Sequence, residues 1–300
     1  MNYPGVSIIT INWNGLEDTI ECLESLKKIT YPDYKVVVVD NGSEGDDVRL
    51  LREKFGDYIH IIENDRNYGF AEGANIGMRY ALANLDPDYF LLLNNDTVVD
   101  PDFLGELIEV ALTDKKIGIL GPKIYYYHEP EKIWFAGGNI NYWLGRLWHR
   151  GIGRIDSRHF DDIADVDFIS GCCMLISRDM LSSVGLLDSA FFFGTEDYDI
   201  SIRAARSEFR VLYVPEAKIW HKIGRSTGRT GRRPTPFVVY YVVRNHFILM
   251  EKHWSKLQFA TSTLWFIVTR LFILYPAYDR QWSTLKCYGL GLLDYLRRKW

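Results

Sequence analysis

Two apolar segments in the first hundred residues each end at a carboxylate. Four valines at 36–39 run directly into Asp40, and the apolar run at 89–93 leads through two asparagines into Asp96. A continuous apolar run of this length is typical of a strand that is covered on both faces, as in a parallel sheet. Open α/β sheets bind ligands beyond the carboxyl ends of their strands. The two acids therefore predict a polar ligand at that edge, bound together with a metal ion.

The pattern around these segments alternates between strands and helices. Strands are predicted at 6–11, 35–40, 58–62 and 89–93, and a glycine-rich helix at 69–82. This alternation indicates an α/β fold with a Rossmann-like, mostly parallel central sheet. Further along, helices are predicted at 101–112, 179–184 and 201–207, and strands at 117–124, 165–177 and 210–214. A polar segment rich in glycine and arginine at 224–236 is the clearest boundary, and the chain after it has helical patterns.

Charge is divided unevenly along the chain. The net charge is −4, but the part from Lys222 onward carries a net +11 and residues 1–221 a net −15. This division predicts an acidic body with a basic tail that faces phosphates or anionic lipid. No nucleic-acid-binding module is recognisable, so no nucleic-acid partner is expected. The four cysteines lack the spacing of metal ligands, and no signal peptide is recognisable, so a cytoplasmic location is expected.

The segment 257–275 has three competing interpretations. It is nineteen residues long and carries one charge, Arg270. That length is close to the minimum for a membrane span, but the charge and several polar residues weaken this interpretation. An amphipathic helix at the membrane interface and a helix buried in the core are the alternatives, and the sequence leaves all three open.

Asp96 is the sharpest candidate for a metal ligand. Together with Asn94 and Asn95 it forms a strand-end group that suits a divalent cation which also binds a diphosphate. The same residues are good turn formers, and both interpretations stay open. Asp40 could accept hydrogen bonds from a base or a ribose, or could cap the helix that follows Ser43.

Three further groups are candidates for the site. The glycine-spaced segment 67–75 offers close backbone approach and a helix N-terminus, both suited to anions. Glu196 and Asp197 follow an apolar run, and either could take a proton from a hydroxyl; the alternative is that they place negative charge at the N-terminus of the next helix. His221 precedes five basic residues between 222 and 233 and is predicted to bind a ligand or a phosphate.

These elements, in this order, resemble glycosyltransferases of family 2 with the GT-A fold. They are most similar to the rhamnosyltransferase-like branch, which uses nucleotide-diphosphate sugars, and the resemblance covers residues 5–250. The segments that carry it are 9–14, 39–43, 67–71 with Asn75 and Gly77, 93–96, 136–138, 170–171, 193–199, His221 and 240–245. Each segment alone is a weak match, whereas the ordered set is specific.

The resemblance implies an inverting transferase that moves a sugar, with rhamnose as one candidate, from a dTDP- or UDP-sugar to a hydroxyl of a polysaccharide or lipid-linked acceptor. It implies that Asp197 is the general base with Glu196 beside it, and that Asp96 and His221 hold Mn²⁺ or Mg²⁺. Asparagine stands where the family has the first aspartate of its metal motif, so Asp96 supplies most of the protein's charge there. The implied nucleotide-sugar residues are Asn12, Asn14, Asp40, Asn67, Gly69, Asn75, Asn94 and Asn95, and the implied acceptor-side residues are Gly171 and Trp134.

The resemblance also implies a domain organisation. A catalytic domain at 1–235 would comprise a nucleotide-binding half at 1–98 and an acceptor half at 99–235, followed by a basic, aromatic helical region at 236–300. The protein is expected to lie peripherally at the inner face of the cell membrane, with the anionic membrane surface as a partner. Two other functions stay open. A nucleotidyltransferase would be expected to carry an early basic loop, which residues 12–15 lack, and a non-catalytic sugar-binding subunit of an envelope assembly complex is the second.

Overall fold

The computed structural model describes residues 3–223, 235–270 and 282–298. Its strands are β1 Val6–Asn12, β2 Tyr34–Asp40, β3 Ile59–Glu63, β4 Tyr89–Leu93, β5 Thr97–Val99, β6 Ile117–Tyr126, β7 Glu129–Phe135, β8 Gly138–Asn141, β9 Arg146–His149, β10 Ala164–Asp165, β11 Cys173–Ser177 and β12 Arg210–His221. Its helices are α1 Leu16–Leu26, α2 Asp47–Phe55, α3 Gly69–Asn84, α4 Phe103–Ala111, α5 Arg178–Val184, α6 Glu196–Arg206, α7 Pro236–His253, α8 Lys256–Ile267 and α9 Trp282–Leu296, with a 3₁₀ turn at Gly56–Tyr58.

A ten-stranded mixed sheet lies at the centre of the protein. Its main path runs β10-β12-β6-β11-β4-β1-β2-β3, while β5 pairs with β12 and β7 with β6. Strands β3, β2, β1 and β4 are parallel neighbours, and β11 is antiparallel to both β4 and β6. The carboxyl ends of β1, β2 and β4 therefore meet at one edge of the sheet. The predicted α/β class is confirmed, and the Rossmann-like parallel part of the sheet comprises β3, β2, β1 and β4.

Close packing of α3 on the sheet explains the glycines in that helix. Residues 36–39 of β2 are at most 1% exposed, as expected for a strand covered on both faces. A Cβ at Gly77 would lie 2.5 Å from Cγ2 of Ile9 and 3.1 Å from Cγ2 of Val39, so only glycine lets the helix approach this closely. The N-terminus of α3 is thereby held at the edge where β1 and β2 end.

Two elements differ from the prediction in ways that affect the site. Helix α6 begins at Glu196 rather than at 201, so the acidic residues lie in its first turn. Strand β12 continues through Pro215 to His221, with a register shift between Val214 and Lys218 that keeps it paired with β6. His221 is therefore the last residue of a strand that was predicted to end at 214.

The helices after residue 235 form the predicted C-terminal extension. Helix α7 buries apolar residues such as Ile248 and Met250, and α9 packs on it through the stacked rings of Phe247 and Tyr295. In α8 the buried residue is Ser262, so α8 is not a core helix. Within the described residues, no helix is long and apolar enough to cross a membrane. Most of the predicted boundary at 224–236, and the part of 257–275 beyond 270, lie outside the described residues.

Candidate active site

A cavity of about 410 Å³ opens at the edge where β1 and β4 end. Its walls come from these strand ends, from the N-termini of α3 and α6, and from the loops that precede β11 and α6. Of the predicted site residues, it brings together Asn67, Gly69, Asn94, Asn95, Trp134, Gly171, Glu196 and Asp197. Residues up to 130 positions apart in the sequence therefore share one cavity, with two carboxylates on its wall.

Asp197 is oriented by backbone hydrogen bonds. Its Oδ2 accepts a hydrogen bond from the N–H of Gly171 at 3.1 Å, and its Oδ1 accepts one from the N–H of Tyr198 at 2.9 Å. Burial raises the pKa of Asp197 to about 6, although both backbone hydrogen bonds act in the opposite direction. A carboxylate with this pKa is ionised at neutral pH and is a stronger base than an exposed aspartate.

Glu196 differs from Asp197 in its surroundings. It is 5% exposed, and its Oε2 has no hydrogen-bond partner among the described residues. Burial and then the charge of Asp197 raise the pKa of Glu196 well above its usual value. Two adjacent carboxylates repel each other, so the pair favours a single negative charge over two.

The turn that positions both acids is held by α7. Gly194 and Thr195 have φ angles of 70° and 92°, a left-handed conformation that is costly for threonine. The side chain of Asn245 donates to the carbonyls of Phe193 and Gly194 at 3.0 and 2.8 Å. Arg244 donates to the carbonyl of Ala190 at 2.6 Å. These contacts stabilise the strained turn, so α7 contributes to the geometry of the site.

The same turn contacts the N-terminus of α3. The N–H of Phe70 donates to the carbonyl of Phe192 at 2.9 Å. A Cβ at Gly69, whose φ is 83°, would lie 2.3 Å from that carbonyl oxygen. Asn67 accepts a hydrogen bond from the N–H of Gly69 at 2.8 Å and another from the buried Asn41 at 3.0 Å. Glycine is required at this position because a side chain would push the two helix N-termini apart.

Asn12 and Asp40 lie together beneath the cavity. Nδ2 of Asn12 donates to Oδ2 of Asp40 at 2.8 Å, and Ser43 donates to the same carboxylate through its N–H and its hydroxyl. Both residues are buried, and neither lines the cavity. Asn14 lines a neighbouring cavity of about 480 Å³ that shares Trp13 and Asn95 with the first. The strand ends are therefore linked by a polar network that reaches the cavity at Asn95.

Asn75 lies away from the cavity, in the interior. Its side chain donates to the carbonyl of Leu187 at 2.8 Å and accepts from the N–H of Leu187 at 3.0 Å. Asn75 is 3% exposed, and Leu187 is also buried. The pair joins the middle of α3 to the loop after α5, which is a structural contact between the two halves of the sheet.

Asp96 and His221 lie side by side at the ends of β4 and β12. Nε2 of His221 is 3.1 Å from Oδ1 of Asp96, and both residues are buried. Burial alone would raise the pKa of Asp96, but the charge and hydrogen bond of His221 hold it below its usual value. Nδ1 of His221 has no hydrogen-bond partner among the described residues. The ring of His221 packs edge-on against Trp134, which lines the cavity, with ring centroids 4.7 Å apart.

This pair fits a divalent metal in its donor chemistry. A carboxylate oxygen and an imidazole nitrogen are ligands that Mn²⁺ accepts, and the nitrogen that faces Asp96 is Nε2 of His221. In residues 3–223, 235–270 and 282–298, no group of three His, Cys, Asp or Glu side chains could hold a metal ion. Asp96 and His221 are the residues that would hold such a metal, and it would supply positive charge near the strand ends.

Lys222, the residue after His221, forms ion pairs with two acids of α1. Its ammonium group lies 2.5 Å from Asp18 and 2.5 Å from Glu21, and its side chain is 5% exposed. The other basic residues of that stretch lie outside the described residues. Lys222 therefore connects β12 to α1.

Four aromatic residues that line the cavity were not among the predicted site residues. Phe192 and Phe193 line it beside the acids, and their signal was the apolar run that precedes Glu196. His149 also lines it, and burial lowers the pKa of His149 to about 4, so its ring is neutral. Trp13, 38% exposed, presents an aromatic face to both cavities at the end of β1.

The family model for glycosyl transferase family 2 matches residues 7–185, which is more than half of the chain. The chain belongs to glycosyltransferase family 2. The predicted resemblance to this family is confirmed.

Relatives with assigned activities agree with the family. The chain is 25% identical over 277 residues to the low-salt glycan biosynthesis hexosyltransferase Agl10 of Haloferax volcanii, covering 89% of this chain and 85% of that one. It is 24% identical over 248 residues to the N-acetylglucosaminyl-diphospho-decaprenol L-rhamnosyltransferase of Mycobacterium tuberculosis, covering 77% and 79%. It is 24% identical over 269 residues to the dTDP-rhamnosyl transferase RfbF of Shigella flexneri, covering 87% and 86%. The predicted similarity to rhamnosyltransferases is confirmed.

Two solved structures share the fold. GalNAc-T7 with UDP, GalNAc and Mn²⁺ matches with a TM-score of 0.66 at 16% identity, over 99% of this chain and 58% of that one. TarS 1–349 of S. aureus with UDP-GlcNAc matches with a TM-score of 0.62 at 15% identity, over 98% of this chain and 81% of that one. The transferase therefore has the GT-A fold, as predicted.

Proposed function

We propose that this glycosyltransferase moves a sugar from a UDP- or dTDP-sugar to a hydroxyl of a glycan or lipid-linked acceptor, with inversion at the anomeric carbon. Rhamnose is one candidate sugar, since two relatives are rhamnosyltransferases. The observation that carries the proposal is Asp197, which is ionised, held by Gly171 and positioned on the wall of the cavity at the strand ends. Family membership favours glycosyl transfer over nucleotidyl transfer.

The proposed reaction is a single displacement. Asp197 takes the proton of the acceptor hydroxyl as the hydroxyl oxygen bonds to the anomeric carbon of the donor. The bond from that carbon to the diphosphate oxygen breaks, and the nucleoside diphosphate leaves as an anion. No second protein acid is needed to protonate the leaving group, so a neutral Glu196 is compatible with this step. Its role is to donate a hydrogen bond to a substrate oxygen in the cavity.

Donor binding is proposed at the ends of β1, β2 and β4. Asp40 is proposed to accept a base N–H at Oδ1, which accepts one hydrogen bond from the described residues, that of Ser43 N–H. Because Asp40 is buried and does not line the cavity, this contact requires the side chains around it to move when the donor binds. Asn14, Asn94 and Asn95 offer amide groups for ribose and phosphate, supported by Asn12. The N-terminus of α3 at Asn67 and Gly69 is suited to a phosphate. The two hydrogen bonds between the side chain of Asn75 and the backbone of Leu187 support a structural role for Asn75.

The metal is proposed to be Mn²⁺ or Mg²⁺, held by Asp96 and His221. When bound, it would supply positive charge that stabilises the departing diphosphate. Gly171 and Trp134, which line the cavity, are proposed to shape the acceptor side. The proposed domain division keeps residues 1–235 as the catalytic domain, with 236–300 as the helical region.

Exposed apolar residues on α8 and α9, including Leu264 and Leu296, support peripheral attachment to a membrane.

A binding screen tests the proposal. UDP-sugars and dTDP-sugars are titrated by calorimetry with and without Mn²⁺, and each binder is then incubated with acceptors while release of free nucleotide is followed. We expect at least one donor to bind and to release its nucleoside diphosphate in an Asp197-dependent manner. Binding of a nucleoside triphosphate with release of pyrophosphate, and no response to any nucleotide sugar, would contradict glycosyl transfer.

A further inference from the structure

A second cavity adjoins the first around the N-terminus of α6. Its volume is about 620 Å³, and it shares Thr195, Tyr198 and Val242 with the cavity that contains Asp197. Its other walls are the β8–β9 hairpin, α7 and the end of α8. A molecule that occupies the second cavity can therefore extend to the proposed base without leaving the protein surface.

Two cations line the second cavity. They are Arg146 and Arg270, and none of the described residues that line it is an aspartate or glutamate. Neither arginine forms an ion pair with a carboxylate of the described residues; Arg146 lies over the ring of Trp148 and Arg270 over the ring of Phe266. Two guanidinium groups without an acidic partner favour an anionic ligand, and their planar forks match phosphate oxygens.

His246 adds an unused polar atom to the same wall. Its Nε2 is buried and has no hydrogen-bond partner in the part of the chain that the structure describes. The ring stacks on Phe266 with centroids 5.0 Å apart, so its orientation is restricted. An unsatisfied buried ring nitrogen costs free energy unless a ligand or water bonds to it.

The hairpin and α8 are held together, which fixes the spacing of the two arginines. The hydroxyl of Thr261 donates to the carbonyl of Trp143 at 2.8 Å, and that of Ser262 to the carbonyl of Tyr142 at 2.9 Å. Gly145, with φ of 57°, packs so tightly that a Cβ would lie 2.9 Å from Cβ of Ser262. Hydrogen bonds and close packing between the hairpin and α8 therefore define the shape of the cavity.

An apolar surface borders the cavity on the α8 side. Leu264 is 64% exposed, Ile267 41% and Val268 37%, and Trp265 both lines the cavity and is exposed. Exposed apolar residues on one helix end are suited to a hydrocarbon chain or a membrane surface. The site thus combines an anion-binding cavity with an adjacent apolar surface.

We propose that this second cavity binds the diphosphate of a lipid-diphosphate-linked sugar acceptor, through Arg146 and Arg270. The inference rests on the proposed function and names its acceptor class. The acceptor sugar would pass Thr195 and Tyr198 so that its hydroxyl reaches Asp197. The lipid chain would lie along the exposed apolar residues of α8.

Calorimetry on the full chain tests the inference, with farnesyl diphosphate as the probe and farnesyl monophosphate, farnesol and inorganic pyrophosphate as comparisons. We expect farnesyl diphosphate to bind most tightly, and Arg146→Ala and Arg270→Ala each to weaken it by about tenfold or more. Lys256→Ala is the matched control, because it removes an exposed charge from the same helix at a position that does not line the cavity. It should leave the affinity unchanged.

Three results would overturn the inference. The first is wild-type affinity for farnesyl diphosphate in the double variant Arg146→Ala/Arg270→Ala, and the second is displacement of farnesyl diphosphate by UDP. The third is that the two arginines are needed for binding to phosphatidylglycerol vesicles but not for binding farnesyl diphosphate. UDP and dTDP binding is measured on the same samples. If these nucleotides bind and farnesyl diphosphate does not, the acceptor inference fails and glycosyl transfer stands. If farnesyl diphosphate binds and no sugar nucleotide does, the proposed function fails instead.

Discussion

The backbone N–H of Gly171 donates a hydrogen bond to Oδ2 of Asp197 at 3.1 Å, which joins the loop before β11 to the first turn of α6. The carboxylate is thus oriented by main-chain groups that no side-chain substitution removes. A Cβ at Gly171 would lie 3.6 Å from that of Asp197, which is ordinary contact. The proposed base is therefore held in place before any substrate binds.

Asp197→Asn is expected to lower kcat by about 10²–10⁴-fold, which is the usual contribution of a general base. Asparagine can still accept the hydrogen bond from Gly171, so nucleotide affinity should stay within about twofold of wild type, measured by calorimetry. The matched control is Glu196→Gln. Glutamine has the shape and the neutral charge that are proposed for Glu196, so this variant should keep kcat within about tenfold. Equal losses in both variants would mean that the two carboxyl groups act as one unit.

The rate of transfer should fall as the pH is lowered through about 6. Burial raises the pKa of Asp197 to about 6, and the ionised form is the active base. The rate is therefore expected to be constant above that pH and to drop tenfold per pH unit below it. The measurement is a kcat profile from about pH 5 to pH 8 at saturating donor and acceptor. A constant rate down to pH 5 would show that a group with an ordinary carboxyl pKa is the base.

Asp96→Asn and His221→Ala should remove the effect of Mn²⁺ on nucleotide binding. Each deletes one proposed metal ligand, so we expect the gain in UDP affinity on adding Mn²⁺ to fall by about tenfold or more. Affinity in excess chelator should be similar for wild type and both variants. His128→Ala, an exposed histidine after β6, is the control and should behave as wild type. Tight UDP binding by wild type in chelator would argue against a metal role.

Asn75→Ala should destabilise the fold without a matching loss of nucleotide affinity. It removes two buried hydrogen bonds and leaves the N–H and carbonyl of Leu187 unsatisfied. We expect the free energy of unfolding to fall by about 2–4 kcal/mol in a urea titration. Asn84→Ala, at the exposed end of the same helix, should change it by less than about 1 kcal/mol. A specific loss of UDP binding by folded Asn75→Ala would instead indicate that Asn75 contacts the donor directly.

Leu264→Ser and Ile267→Ser should weaken binding to anionic vesicles. Both side chains are exposed on α8, and burying each in a membrane interface contributes about 1 kcal/mol, or about fivefold in partitioning. Co-sedimentation with phosphatidylglycerol vesicles measures the effect. Leu112→Ser, which replaces a leucine that is 61% exposed after α4, is the control. Unchanged sedimentation of the α8 variants would rule out α8 as the attachment surface.

Strand positions were predictable because of their local patterns. The prediction of 89–93 matches β4, and β1 and β2 differ by one residue from their predicted bounds. A short run of four β-branched valines favours a strand that is buried on both faces, so the local sequence was enough to identify β2. The start of α6 was not predictable in this way. It depends on the strained turn at Gly194 and Thr195, which Asn245 stabilises from a helix fifty residues away.

The fold class and the kind of chemistry could be predicted from the chain alone, since acids at strand ends and their order are local features. The differences between the candidate residues arise from the folded protein. The carboxylate of Asp40 accepts hydrogen bonds from Asn12 and Ser43, whereas Asp197 lines the cavity and has a raised pKa. The physical reason is that burial and hydrogen-bond partners set the charge of a carboxyl group, and both come from residues that are distant in the sequence.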